Sequence, residues 1–309
     1  MAGIRSIVTA KNTLTFDLYK FAMLSGLHKR TPWLYEQWYL WLDRCHKALF
    51  WEPVSTDPIL LNRTKYHHVN QDLSLNNTFR KPVRCVLFDM DNTLFDLVGA
   101  QIAACNAASR FLGVMEENLL FDYFLRPLHG FESHENILDF IHDHGIQVPG
   151  SYETARRIYE QEKILAIKPY PGVLDTLSLI RDTGIPMGII TDAHSRDAVR
   201  RLEKTALLPF FSCMVTFDLV KVKKPAPEPF IVALAMLQSE AGEALLVGDS
   251  PRRDIEPGIN LGIRTVYARY GDRFSDDRSP VPADYTIDTM AELPAIVSRL
   301  TDTNGQVFP

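Results

Sequence analysis

The residues best placed to do chemistry lie in VRCVLFDMDNTLF, residues 83–95. An apolar run from Val83 to Phe88, broken only by Arg84 and Cys85, ends abruptly in Asp89. Asp91 follows two positions later and Thr93 two beyond that. The run reads as a buried parallel strand. The aspartates then stand at its C-terminal end, the edge where open α/β sheets bind ligands. Positions i and i+2 of an extended segment point the same way. Two carboxylates facing one spot need a cation or a shared proton. The chemistry is therefore a metal site or an acid/base pair, and the structural alternative is an Asp N-cap followed by a turn.

Three further segments share this design. MGIITDAHS, residues 187–195, is an apolar strand ending in Thr191. KVKKPAPEPF, residues 221–230, sets Lys224 before a proline-rich turn. ALLVGDSPRRDIEPG, residues 244–258, is a buried strand ending in Gly248-Asp249, with Asp254 five residues later. Singly each is an ordinary strand end or loop. Together and in this order they resemble the four motifs of the haloacid dehalogenase-like superfamily, over about residues 83–300. The first 80 or so residues lie outside the resemblance.

The resemblance implies a Mg²⁺-dependent phosphatase acting on a small phosphorylated metabolite. Asp89 would be the nucleophile, forming an aspartyl-phosphate. Asp91 would protonate the leaving oxygen and then deprotonate the attacking water, which needs a raised pKa beside an ionised neighbour. The metal ligands would be Asp89, the backbone carbonyl of Asp91, and Asp249, a hard-oxygen set suited to Mg²⁺. Asp254 would be a neighbouring carboxylate or a further ligand. Thr191 would bind a phosphoryl oxygen, and Lys224 would neutralise phosphate charge. Some positions depart from the family pattern. Asp192 stands where many members have Asn, Lys221 stands where glycine is usual, and Arg252 and Arg253 fill the gap before Asp254, where one of them would pair with Asp254 or substrate. On the same fold a haloacid dehalogenase would use Asp89 without a metal, a reading that Asp91 disfavours. A phosphomutase would need a cap suited to two transfers. A non-catalytic scaffold with a partner-binding N-terminal helix is the reading from a different class.

These residues need a sheet to position them. From residue 168 the pattern alternates strands (187–191, 213–216, 244–248, 264–268, 284–287) with helices (194–206, 227–240, 255–261), which implies a parallel sheet covered by helices. Thr289 and Glu292 form a capping-box pattern before a last helix. Residues 98–167 are helical in pattern and resemble a type-1 cap inserted after the first strand. Hinges fall near Asp96–Val98 and at the Pro169, Pro171 and Gly172 re-entry. The expected fold is α/β, a Rossmann-like core of residues 81–97 and 168–300 with this helical cap, an N-terminal extension over 1–80 and a tail at 301–309. Substrate choice would lie in the cap. Its segment LRPLHGFESHEN breaks the helical pattern and offers Arg126, His129 and His134 as specificity candidates.

The chain as a whole, 309 residues and 46% hydrophobic, can bury one substantial core and a smaller unit. A formal charge of −5 argues against a general nucleic-acid surface. Cys45, Cys85, Cys105 and Cys213 are scattered with no CxxC pair, the usage of a reduced, cytoplasmic protein. No apolar stretch approaches the ~18 residues of a membrane span, and the N-terminus lacks a signal-peptide design. All four tryptophans, Trp33, Trp38, Trp41 and Trp51, lie in the extension. On a helix they would fall within about 140° of one another, a stripe suited to packing on this chain or to a homo-oligomer contact.

Overall fold

A computed structural model describes residues 81–274 and 281–301, all within the compact unit Arg80–Pro309. The expected N-terminal extension, its tryptophan stripe and Cys45 lie outside the described residues. Six parallel strands form one sheet: β1 (Cys85–Phe88), β2 (Met187–Ile190), β3 (Cys213–Val215), β4 (Ala244–Gly248), β5 (Arg264–Ala268) and β6 (Tyr285–Ile287). Their spatial order is β3-β2-β1-β4-β5-β6. β1 through β5 are buried along their whole length. Helices cover both faces of such a sheet, so its strands read as continuous apolar runs without alternation.

The order reverses at β1. The chain builds β2 and β3 on one side of it, then crosses to build β4, β5 and β6 on the other. That is a topological switch point, and a crevice opens at the carboxyl ends of the strands that flank it. Register places those ends together. Phe88 pairs with Ile189 of β2 and Val247 of β4. The Asp89 N–H continues the ladder to the Val247 carbonyl at 2.9 Å. Asp89, Thr191 and Asp249 therefore emerge from three adjacent strands on one edge.

Between β1 and β2 the chain first turns sharply. Asn92 has φ +64°, a left-handed geometry that Asn tolerates. Its side-chain oxygen accepts the N–H groups of Leu97 and Val98 at 3.1 Å each. Asp96 caps the same helix by accepting from the Gly99 N–H at 2.9 Å. Four helices follow: α1 (Leu97–Phe111), α2 (Leu119–Leu125), α3 (Glu135–Asp143) and α4 (Ser151–Ala166). They enclose an apolar cluster distinct from the one under the sheet, built on Ala104, Ala108, Phe124, Ile137, Phe140 and Tyr159. Tyr159 stacks on Phe124 with ring centroids 5.0 Å apart.

The remaining helices return to the sheet: α5 (Val173–Asp182), α6 (Ser195–Lys204), α7 (Phe217–Val220), α8 (Glu228–Met236), α9 (Glu256–Asn260) and α10 (Leu293–Leu300). The capping box forms as the sequence suggests, with the Thr289 N–H donating to Glu292 at 2.8 Å, on a 3₁₀ turn just ahead of α10. Among the described residues no helix is long and apolar enough to cross a membrane. Cys85, Cys105 and Cys213 are buried.

The glycine-like position of Lys221 has a backbone cause. Lys221 ends α7 at φ +61°, where its N–H meets the Phe217 carbonyl at 2.7 Å. A side chain in this region costs about 1–2 kcal/mol, which glycine avoids while paying part of it back as unfolded-state entropy. Lys221→Gly is expected to raise the melting temperature by about 2–4 °C, the equivalent of roughly 1 kcal/mol. A calorimetric scan showing a lower melting temperature would contradict this account of the strain.

Candidate active site

Asp89 leaves β1 with its side chain buried. Its Oδ1 accepts from Lys224 Nζ at 2.5 Å, and its Oδ2 lies 3.2 Å from the Thr93 hydroxyl. The same ammonium donates to Asp254 Oδ1 at 2.6 Å. Thr93 joins the second strand end, because its hydroxyl accepts the Asp249 N–H at 3.1 Å and lies 3.1 Å from Asp249 Oδ1. One hydroxyl proton cannot serve both carboxylates. Asp254 comes from a π-helical turn, Pro251–Ile255, and its Oδ2 accepts the Ser250 N–H at 3.1 Å. Gly248 makes room for it: a Cβ there would sit 2.5 Å from the Asp254 Cβ.

The electrostatics set these carboxyls apart. Burial works to raise the Asp89 carboxyl, but the charges of Lys224 and Arg253 and the lysine hydrogen bond hold it below the ordinary range. Lys224 is itself disfavoured by burial, yet Asp254 and Asp89 keep it firmly protonated. Asp249 is pushed well above the usual carboxylate range by burial and by the negative charges of Asp89 and Asp254. Asp89, Asp249 and Asp254 offer oxygens all within 4.8 Å of one another. Asp249 has no ion pair to a cationic side chain among the described residues. Three buried carboxylates held close, one of them without a cation, form a hard-oxygen site that suits a divalent ion such as Mg²⁺.

Asp91 stands apart from this cluster. Its Oδ2 accepts from Arg201 of α6 at 2.7 Å, while its buried Oδ1 has no hydrogen-bond partner. Burial raises its carboxyl most. Arg201 opposes this and the charges of Glu132 and Asp89 add to it, for a value of about 6. Thr191 ends β2 with its N–H on the Val215 carbonyl at 2.9 Å. Its hydroxyl oxygen accepts the Ala193 N–H at 3.1 Å, which leaves the hydroxyl proton to donate.

The departures from the family pattern also find places. Asp192 Oδ1 accepts the Lys224 backbone N–H at 2.9 Å, and its Oδ2 faces Arg253 Nη1 at 3.7 Å. The extra carboxylate thus orients the lysine loop and is balanced by Arg253. Lys224 takes the contact to Asp254 expected of an arginine, and Arg252 is exposed.

Arg126, His129 and His134 are not brought to the aspartates. Arg126 pairs with Asp139 at 2.7 Å. His129 lies between Glu135 at 3.2 Å and Asp139 at 3.1 Å. His134 meets Glu160 at 2.7 Å. These three serve contacts within the helical insert. Arg201 and, through it, Glu132 of the α2–α3 loop reach the site from outside the motifs. Their one sequence signal is Arg201 on the buried face of α6, between Ala198 and Leu202.

The family model described as haloacid dehalogenase-like hydrolase matches residues 86–268, which take in every one of these strand ends. The chain belongs to this family. It is an enzyme, a haloacid dehalogenase-like phosphoric monoester hydrolase. Among its relatives is the glyceraldehyde 3-phosphate phosphatase of Methanocaldococcus jannaschii, 28% identical over 71% of this chain and 98% of that protein. Another is the pyrophosphatase PpaX of Bacillus pumilus, 30% identical over 70% of this chain and 96% of that protein. The haloacid dehalogenase-like hydrolase YfnB from Bacillus subtilis, solved bound to magnesium, shares the fold with a TM-score of 0.58. It is 21% identical, over 71% of this chain and all of that one.

Proposed function

We propose that this protein is a Mg²⁺-dependent phosphatase of a small phosphorylated metabolite, working through an aspartyl-phosphate on Asp89. The observation that carries the reading is the split between two neighbouring carboxyls. Asp89 is held ionised by Lys224, while Asp91 is raised to about 6 with one oxygen free. Nucleophile and proton donor need opposite states at one pH, and environments that push two carboxyls apart supply them.

In the first step a lone pair of Asp89 attacks phosphorus. The bond from phosphorus to the leaving oxygen breaks, and Asp91 supplies that oxygen with a proton. In the second step water attacks phosphorus, Asp91 takes the water's proton, and the acyl-phosphate bond breaks to return the Asp89 carboxylate and release inorganic phosphate. Thr191 would donate to a phosphoryl oxygen and Lys224 would offset phosphate charge. Asp89, Asp249 and the Asp91 carbonyl would hold Mg²⁺, with Asp254 as a neighbour that fixes Lys224. Bound there, the ion would supply charge stabilisation for the phosphoryl group. The helical insert over residues 98–167 would act as a cap that shapes the substrate space. The phosphatases among the relatives support the reaction class, and magnesium in YfnB supports the metal.

Chelation tests the reading. Treatment with EDTA should abolish turnover of p-nitrophenyl phosphate, and added Mg²⁺ should restore it. Asp249→Ala should lose activity or require far more Mg²⁺. Full activity in chelated protein would overturn the metal assignment.

A further inference from the structure

Arg201 is a charged side chain in an apolar place. It belongs to α6, is 1% exposed, and reaches two carboxylates that come from separate parts of the chain. Its Nη1 donates to Asp91 Oδ2 at 2.7 Å, and its Nη2 donates to Glu132 in the α2–α3 loop of the insert. The same Glu132 oxygen, Oε1, also accepts from Lys163 of α4, at 3.2 Å. Lys163 is 4% exposed and also holds Glu160 at 3.2 Å, the residue that His134 meets. Charges therefore alternate from Asp91 through Arg201, Glu132 and Lys163 to Glu160. The row runs from the sheet edge into the insert. A second contact lies beside it, where the ring of Phe131 meets Phe274 edge-on at 5.8 Å.

Stability alone does not explain such a row, because buried ion pairs seldom outdo apolar packing of the same volume. Its geometry does something that packing would not. Arg201 holds one oxygen of Asp91 and leaves the other unpartnered, which is the arrangement a proton donor needs. A guanidinium is a planar fork, so a carboxylate on each side fixes its rotation. We infer that Arg201 is the positioning residue for Asp91 and that Glu132 completes its alignment only when the insert is seated on the core. The inference rests on the phosphatase reading for its catalytic half. Seating the insert then does more than exclude water, since it aims the proton donor. A misplacement of about 1 Å can cost on the order of 100-fold in rate.

The test compares leaving groups. p-Nitrophenolate departs with little help, whereas an alkoxide needs its proton from Asp91. In Arg201→Met, kcat/KM for glycerol 3-phosphate should fall about 100-fold, within the range of general acid catalysis. For p-nitrophenyl phosphate it should fall only a few-fold. Arg201→Lys should recover part of the difference, and Glu132→Gln should show the same leaving-group pattern at about a tenth of the size. Equal losses on both substrates, or no loss in folded Glu132→Gln protein, would overturn the positioning role. If Arg201→Met does not fold, Glu132→Gln and Arg201→Lys decide. Hydrogen exchange gives a readout independent of turnover. The amides of Ser133, Asn136 and Ile137 should exchange faster in Glu132→Gln than in the wild type. Unchanged exchange there would overturn the tie between insert and core. A wild-type protein with no phosphatase activity would sink the phosphatase reading instead, and hydrogen exchange would still decide whether Glu132 ties the insert down.

Discussion

Asp89→Asn protein should fold and bind Mg²⁺ weakly, yet turn over phosphate esters several orders of magnitude more slowly than the wild type. Asn has nearly the shape of Asp, and its carbonyl oxygen can still accept from Lys224, which donates to Asp89 at 2.5 Å. Lys224 keeps Asp254 as an ionic partner at 2.6 Å, so no buried charge is stranded. One of three carboxylates within 4.8 Å of one another becomes neutral, which also relieves the repulsion on Asp249. The fold therefore has little reason to fail. What is lost is the anionic lone pair, and no other carboxylate can take its place. Asp249 and Asp254 are engaged with Thr93, Lys224 and Ser250. Asp91 is turned toward Arg201. Steady-state kinetics and a thermal melt on the same sample check both halves. Near-normal turnover by folded Asp89→Asn protein would remove Asp89 as nucleophile.

Lys224→Met should lose both activity and stability. The ammonium is almost fully enclosed and touches two carboxylates, Asp89 at 2.5 Å and Asp254 at 2.6 Å. Removing one partner of a buried ionic group typically costs about 3–5 kcal/mol, because the charge left behind is uncompensated. In a domain of this size that is a fall of roughly 10 °C in melting temperature. The sign of its pH dependence follows from Asp89. In the wild type its folded pKa is depressed, so its contribution is present above the unfolded carboxylate value and is lost as pH falls through the folded one. Without Lys224, burial and like charges would raise the folded pKa instead. The variant should then be closest to the wild type in acid and fall behind it as pH rises toward neutral. Added Mg²⁺ should recover part of the deficit by supplying the missing positive charge. Melts at acid and neutral pH, with EDTA or with Mg²⁺, measure this. A variant as stable as the wild type at neutral pH in EDTA would show that the carboxylates do not depend on Lys224.

The strand ends were legible in the sequence for a simple reason. β1, β2, β4 and β5 are covered on both faces, so each is an apolar run, and each polar residue that stops a run marks the sheet edge. Asp89, Thr191 and Asp249 stop three of these runs, and the strand order brings them side by side. The helices of the insert were equally plain from their periodicity, as was the Thr289–Glu292 cap. Local spacing carries all of this information. It does not tell which of many charged side chains will meet across the fold. Nothing in the local spacing of Arg126, His129 and His134 showed that Asp139, Glu135 and Glu160 of the insert would engage them. Asp192 and Arg253, read separately, gave no hint that they face each other at 3.7 Å. Arg201 stands 110 positions from Asp91 and 69 from Glu132. It is one of many arginines until α6 turns it inward between Ala198 and Leu202. The sequence alone located Asp89, Thr191 and Asp249, because each of them ends a strand whose burial dictates composition. Only the tertiary structure decided how Asp91 is held, because an ion pair between distant segments leaves no periodic trace in either of them.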